Sequence, residues 1–179
     1  MKQLCQISGV SARALEFLTL TAARSGEVRG MEWDEVDLPN KIWIVPAIRM
    51  KAKREHRVPL SDAAVLILNL MKQKNGGLLV FPGTKGKALS DMSLTSVMRR
   101  MGIDAVPHGL RSSFRNWTAE MTAYPNEVAE MALAHTVNNA VEAAYRRGDL
   151  FEKRRGMMND WCAYLSCIDK ANRDLDERG

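Results

Sequence analysis

The sequence predicts a mainly α-helical domain with a small three-stranded antiparallel sheet. Three observations carry the prediction. Apolar residues recur at helical spacing through most of the chain, three short β-prone runs fall between residues 36 and 60, and Gly, Pro and Asn punctuate the segments between them. A length of 179 residues suits one domain with its own core. Apolar residues at 46% and charged residues at 26% are ordinary for a folded globular chain and argue against disorder, collagen and coiled coil.

Residues 11–23, SARALEFLTLTAA, read as an apolar helix, and GEVRGMEW continues as a short helix or turn. Val36 to Val45 reads as a hairpin around Pro39-Asn40, and His56 to Leu60 as a third strand. Between strands two and three lies a basic tip, Arg49 to Arg54. Ser61-Asp62 caps a helix to about Lys74, with Ala64, Leu66, Ile67, Leu70 and Met71 as its apolar set. Phe81 to Gly86 is a loop, and Ser90-Asp91 opens a helix closed by Gly102. Pro107-His108-Gly109 reads as a breaker before a helix to about Thr122. Pro125 suits the first turn of a helix to about Ala134. Asn138 or Asn139 caps another through Arg147, and a last helix runs from about Leu150 to Ile168, leaving a charged, frayed tail over 169–179. The start is abrupt, with no cap before Ser11, as in a domain cut from a longer protein.

Lys plus Arg is 26 against 21 for Asp plus Glu, a formal charge of +5. This permits a nucleic-acid partner without demanding one. Cys5, Cys162 and Cys167 form no CxxC pair, so neither a disulfide framework nor a zinc knuckle is indicated. They are read as reduced and buried. No apolar run has the length of a membrane span and no signal-peptide layout follows Met1, which points to a cytosolic or nuclear protein.

The chemistry-bearing residues are polar groups in apolar settings. Arg24 follows LTLTAA, where a cation needs an anion; pairing with Glu27 is the structural alternative. His108 and Arg111 are three apart and share a face near a helix N-terminus. His135 follows MALA at a helix end, and Tyr145 follows VEAA. Taken singly, His135 suits a core histidine and Tyr145 a core tyrosine beside Val141. Together, two arginines and two histidines can surround a phosphodiester, because guanidinium forks match phosphate oxygens. A tyrosine hydroxyl can attack if positive charge offsets its high pKa, and a hairpin lysine can protonate a leaving oxygen.

In order, Arg24 in AARSGE, the hairpin MKAKREHRVPL, His108-Gly109-Leu110-Arg111, Leu133-Ala134-His135 and Ala144-Tyr145-Arg146 resemble the catalytic domain of tyrosine recombinases, the phage integrase family. The resemblance is strongest to the P4-like group of prophage and genomic-island integrases, whose last helix carries a stretch like Glu152 to Trp161. It covers about Ser11 to Leu165. A lone HxxR or AYR is weak; the five elements in order are specific.

The resemblance implies a DNA breaking-rejoining fold and a site-specific recombinase that needs no metal and no cofactor. Arg24 and Arg111 would hold the scissile phosphate, with Lys51 protonating the 5′ leaving oxygen and Lys53 as runner-up. His108 would assist proton transfer, His135 would bond the phosphate, and Tyr145 would form a 3′-phosphotyrosyl link. Glu27 matches an acidic residue often found after the first arginine. The implied partners are double-stranded DNA, further copies of the full-length protein in a tetramer, and accessory DNA-bending proteins, in a bacterial cytoplasm. The family usually carries an N-terminal clamp domain, which does not fit before Ser11, so residues 1–179 are expected to be a single catalytic domain with a core over about 11–168. Ala134 stands where many members have glycine. The competing readings are an inactive DNA-binding module of this fold, a type IB topoisomerase-like relaxing enzyme, and a helical interaction protein with incidental charges.

Overall fold

The computed structural model describes residues 1–74, 76–135 and 148–176, with side chains as far as Ser166. Its axis is α2, Val10–Thr21, in which Ala12, Ala14, Leu15, Phe17, Leu18 and Leu20 are all buried. A helix apolar on every side must be enclosed. It is packed by α4 (Asp62–Lys74), α5 (Ser93–Arg100), α6 (Pro107–Met121) and the long C-terminal α8 (Phe151–Asp176). Its Thr19 and Thr21 hydroxyls donate back to Leu15 and Phe17 carbonyls, so neither is left unpaired inside the core.

The sheet has the order β1-β2-β3, antiparallel throughout, from Val36–Asp37, Ile42–Val45 and His56–Pro59. Trp43 opposes Val58, and Trp43 and Val45 are fully buried while Ile44 between them is exposed. This is the period-2 pattern of a sheet with one wet face. Phe17 meets Trp43 edge-on at 5.6 Å, fastening the sheet to α2.

A second cluster lies under the C-terminal half. Phe114 and Trp117 of α6, Val128 and Ala129 of α7 (Asn126–Ala132), and Met157, Met158 and Trp161 of α8 pack together with Ala22. Trp161 Nε1 donates to the Thr19 carbonyl at 2.8 Å, which joins this cluster to α2.

Several expectations are corrected. A short helix, α1 (Lys2–Gln6), precedes α2. Its end is held by Arg13, whose guanidinium donates to the carbonyls of Leu4, Cys5 and Ile7. In α4 the buried set is Ala64, Ile67, Leu68 and Met71, whereas Leu66 and Leu70 are 63% and 46% exposed. The run is apolar at too many positions for its period to choose the face. Pro107-His108-Gly109 is the first turn of α6 rather than a breaker, since proline at N1 gives up only an N–H that has no helical partner. The final helix passes the expected tail boundary and runs to Asp176, with no Gly or Pro to stop it after Gly156. Cys5 is exposed, and the side chain of Cys167 and the helix expected over 138–147 lie outside the described residues.

Candidate active site

The site begins where α2 stops. Ala22 takes a left-handed conformation (φ 50°), and the chain turns into α3 (Ser25–Arg29) with Arg24 as N-cap. Glu27, at N3, reaches back: one carboxylate oxygen accepts the Arg24 backbone N–H at 2.8 Å, the other the Arg24 guanidinium at 2.8 Å. The structural alternative for Arg24 is therefore real, yet it leaves Nη2 free to reach the Ala134 carbonyl at 3.2 Å.

Arg111, in the second turn of α6, is 5% exposed. It donates to the Ala22 carbonyl at 2.5 Å and to Leu133 at 2.7 Å. Burial and then the nearby Arg24 charge pull its pKa down to about 10, with Glu27 opposing, so it remains a cation at neutral pH.

Both arginines thus meet the C-terminal turn of α7. A third basic residue joins them: His56, on β3, lies with Nε2 3.3 Å from the Ala132 carbonyl. Ala132, Leu133 and Ala134 present consecutive carbonyls at the end of α7, and three side chains from three other elements take one each. Burial first, then the Arg154 charge, push the His56 pKa down to about 4. It is neutral at pH 7 and donates Nε2–H.

The turn itself is a Schellman motif. The Ala134 N–H bonds the Met131 carbonyl, the His135 N–H bonds the Glu130 carbonyl, and Ala134 has φ 48°. This left-handed position is why glycine suits the site where this chain has alanine. The motif carries His135 back over α7. Its Nδ1 lies 2.8 Å from Glu130 and its Nε2 3.5 Å from Arg111 Nη2.

His108, in the first turn of α6, is exposed one turn before Arg111. Lys51 is exposed on the hairpin loop. That loop is held at both ends. Before it, Arg49 donates to the Glu27 carbonyl at 3.1 Å and to the Glu35 carboxylate at 2.6 Å; after it, His56 holds α7. Arg49 is therefore an internal anchor rather than part of a free basic tip, and a Cβ on Gly30 would come within 2.7 Å of its Nη1. Tyr145 lies outside the described residues. The described tyrosines are otherwise engaged. Tyr124 donates to Asp160 at 2.6 Å, burial and that bond pushing its pKa up to about 12, and Tyr164 stacks on Trp161.

Downstream of residue 147, Arg154 is fully buried at 1% exposure. Its Nε and Nη2 bond the carbonyl and carboxylate of Asp149, and Nη1 bonds the Arg57 carbonyl of β3 at 2.6 Å. Sequence reading missed His56, Glu130, Arg49 and Arg154. Local signals existed for two of them: His56 stands inside the hairpin motif, and Arg49 begins its basic tip. Among the described residues no three His, Cys, Asp or Glu side chains gather as a metal site, and no helix is long and apolar enough to cross a membrane.

Two arginines and a histidine thus gather on one helix end, within a helical domain bearing a three-stranded sheet. The phage integrase family model matches residues 1–150, and the chain belongs to that family. It is 37% identical over 158 residues to prophage integrase IntA of Escherichia coli (strain K12), covering 86% of this chain and 38% of that protein. It is 36% identical over 172 residues to the integrase of Enterobacteria phage P4, covering 85% and 39%. The chain thus spans about two fifths of the length of these relatives. A lambda integrase tetramer bound to a Holliday junction shares the fold, with TM-score 0.57 and 21% identity over 77% of this chain and 44% of that one.

Proposed function

We propose that this chain is the catalytic domain of a site-specific recombinase that cuts and rejoins double-stranded DNA through Tyr145, in the integration and excision of mobile DNA. The observation that carries the reading is the meeting of Arg24, Arg111 and His135 at the end of α7. A phosphodiester placed there finds two guanidinium groups for its non-bridging oxygens, and these stabilise the charge of a five-coordinate phosphorus. The Tyr145 hydroxyl attacks phosphorus, its proton passing to His108, and the bond to the 5′ oxygen breaks. The 5′ oxygen takes a proton from Lys51, with His108 assisting proton transfer and His135 bonding the phosphate. The tyrosyl ester conserves the phosphodiester energy, so a partner strand's 5′ hydroxyl can reverse the step without a nucleotide cofactor. Side-chain cations supply the charge in this scheme, so it calls on no metal.

Support comes from the order of the motifs, from the integrase names of the relatives, and from the employment of Tyr124 and Tyr164 elsewhere. By the same reading the full-length protein assembles as a tetramer on DNA in the bacterial cytoplasm, assisted by DNA-bending proteins. The test is a library of nicked duplexes of random sequence, incubated with the chain and with its full-length parent. Protein-linked DNA is recovered after detergent denaturation and sequenced. Adducts confined to a common sequence and lost in Tyr145→Phe are expected. Adducts that persist in Tyr145→Phe, or none with either protein, remove the proposal; adducts without sequence preference favour a topoisomerase-like enzyme.

A further inference from the structure

We infer that Glu130 is a positioning residue of this site, which fixes the ring of His135 and serves as its counter-charge when an anion binds. The placement follows from the end of α7. In a Schellman turn the third-last helical residue and the second residue beyond the cap come side by side, and an apolar pair usually fills those positions. Here they are Glu130 and His135, joined by backbone (His135 N–H to Glu130 carbonyl, 3.0 Å) and by side chain (Nδ1 to Oε2, 2.8 Å).

Glu130 is itself held. Its second oxygen accepts from Arg115 Nε at 2.6 Å, and Arg115 continues to the Asn126 side chain. Desolvation pushes its carboxyl up, but the bonds and charges of His135 and Arg115 outweigh this and hold it below the ordinary glutamate range. An ionised carboxylate only accepts hydrogen bonds, so the proton of His135 must sit on Nδ1. Nε2 is then the nitrogen turned toward Arg111, itself fixed by two carbonyls. A free imidazole chooses between two tautomers and two ring orientations; this one has neither choice.

The consequence rests on the recombinase reading for what Nε2 meets. A neutral ring of this tautomer offers Nε2 as a lone pair, which cannot bond a phosphate oxygen. To donate there it takes a proton from solvent, and Glu130 on one side with phosphate on the other balances the imidazolium. Among the described residues the ring itself touches Glu130 on α7 and Arg111 on α6. Arg115 bonds the Glu130 carboxylate, Arg24 and neutral His56 hold the neighbouring carbonyls, and Glu27 is tied to Arg24. Of the groups in contact with the ring, Glu130 is the negative one. The same logic recurs wherever a carboxylate fixes one nitrogen of a working histidine so that the other is aimed.

The test uses the whole chain as wild type, Glu130→Gln, Glu130→Leu and Tyr145→Phe. Long-range proton–nitrogen spectra of the imidazoles are readable because the chain has three histidines, assigned by single His→Asn variants. Wild type is expected to show His135 with a protonated Nδ1 and a bare Nε2 at pH 8, and Glu130→Leu a mixture of tautomers. A wild-type ring protonated on Nε2, or spectra unchanged by Glu130→Leu, overturns the inference even if the chain forms no adduct. Adduct formation is then followed from pH 6 to 8.5 on the sequence recovered from the duplex library. Glu130→Gln is expected to lose at least tenfold in rate at pH 8 and less than threefold at pH 6, with DNA affinity and melting temperature near wild type. Superimposable pH profiles overturn the counter-charge role. Loss of adduct in Tyr145→Phe alone speaks for the tyrosine, so the two readings fail separately.

Discussion

Arg24 and Arg111 hold neighbouring carbonyls of one helix end: Arg111 donates to Leu133, and Arg24 to Ala134. Their other bonds differ. Arg24 is tied to a carboxylate, whereas Arg111 bridges two backbone oxygens belonging to two separate helix ends.

The difference predicts unequal costs for the same substitution. A lysine at 111 can reach one of the two carbonyls, leaving the other buried without a donor, a loss of about 1–3 kcal/mol. A lysine at 24 keeps an ion pair with Glu27 and loses less. Urea midpoints should therefore fall more for Arg111→Lys than for Arg24→Lys. Adduct formation should drop at least a hundredfold in both, because one ammonium cannot make a bidentate contact with phosphate.

Ala134 sits at φ 48°, which an L-residue adopts at a cost. Ala134→Gly relieves that strain at a position where glycine is preferred, and should raise stability by about 0.5–1 kcal/mol. Differential scanning calorimetry should show a melting temperature higher by a few degrees, with the Glu130–His135 pairing intact in the imidazole spectra.

Stability should fall with acid through His56. Its folded pKa is about 4 against an ordinary 6.5. Between those values the unfolded chain binds a proton that the folded chain refuses. The contribution is complete above pH 6.5 and is lost as pH drops to about 4, on the order of 3 kcal/mol. His56→Gln removes the titrating group while keeping a donor for Ala132. The fall in urea midpoint from pH 7 to 4.5 should be smaller in the variant; equal falls would assign the acid sensitivity to other groups.

Arg154 should steady the C-terminal half. It is fully enclosed and joins Asp149 to β3. Arg154→Met leaves the Arg57 carbonyl without its donor and half-exposed Asp149 with the Arg57 guanidinium at 3.5 Å, costing about 1–3 kcal/mol. Hydrogen exchange should accelerate first in β3 and in the opening turns of α8, and Arg154→Lys should recover only part of the loss.

What could be seen in the sequence follows from range. α2 was legible because SARALEFLTLTAA is apolar and is followed by a cation, and the hairpin because short β-prone runs such as IWIV flank turn residues. Arg24 with Glu27 was legible because they are three apart on one short helix. His56 was not, since its partner lies 76 residues away, and Arg154 was not, since the Arg57 carbonyl that draws it inward lies 97 residues away although Asp149 is only five off. Glu130 is a different case: its partner is five residues off, but the contact exists only because Ala134 is left-handed, which alanine does not announce. The α4 face was misjudged because AAVLIL offers no polar residue to mark the wet side.

The carbonyl row of Ala132, Leu133 and Ala134 also bears on the energetics of ligand capture. Those oxygens already restrain the guanidinium groups. On the recombinase proposal, a phosphodiester would therefore not have to freeze two long, rotamer-rich side chains, an ordering cost of about 0.5–1.5 kcal/mol each. It would meet a preorganised cradle, in which neutral acceptors share their donors with a charged one and little of the attraction is spent on assembly.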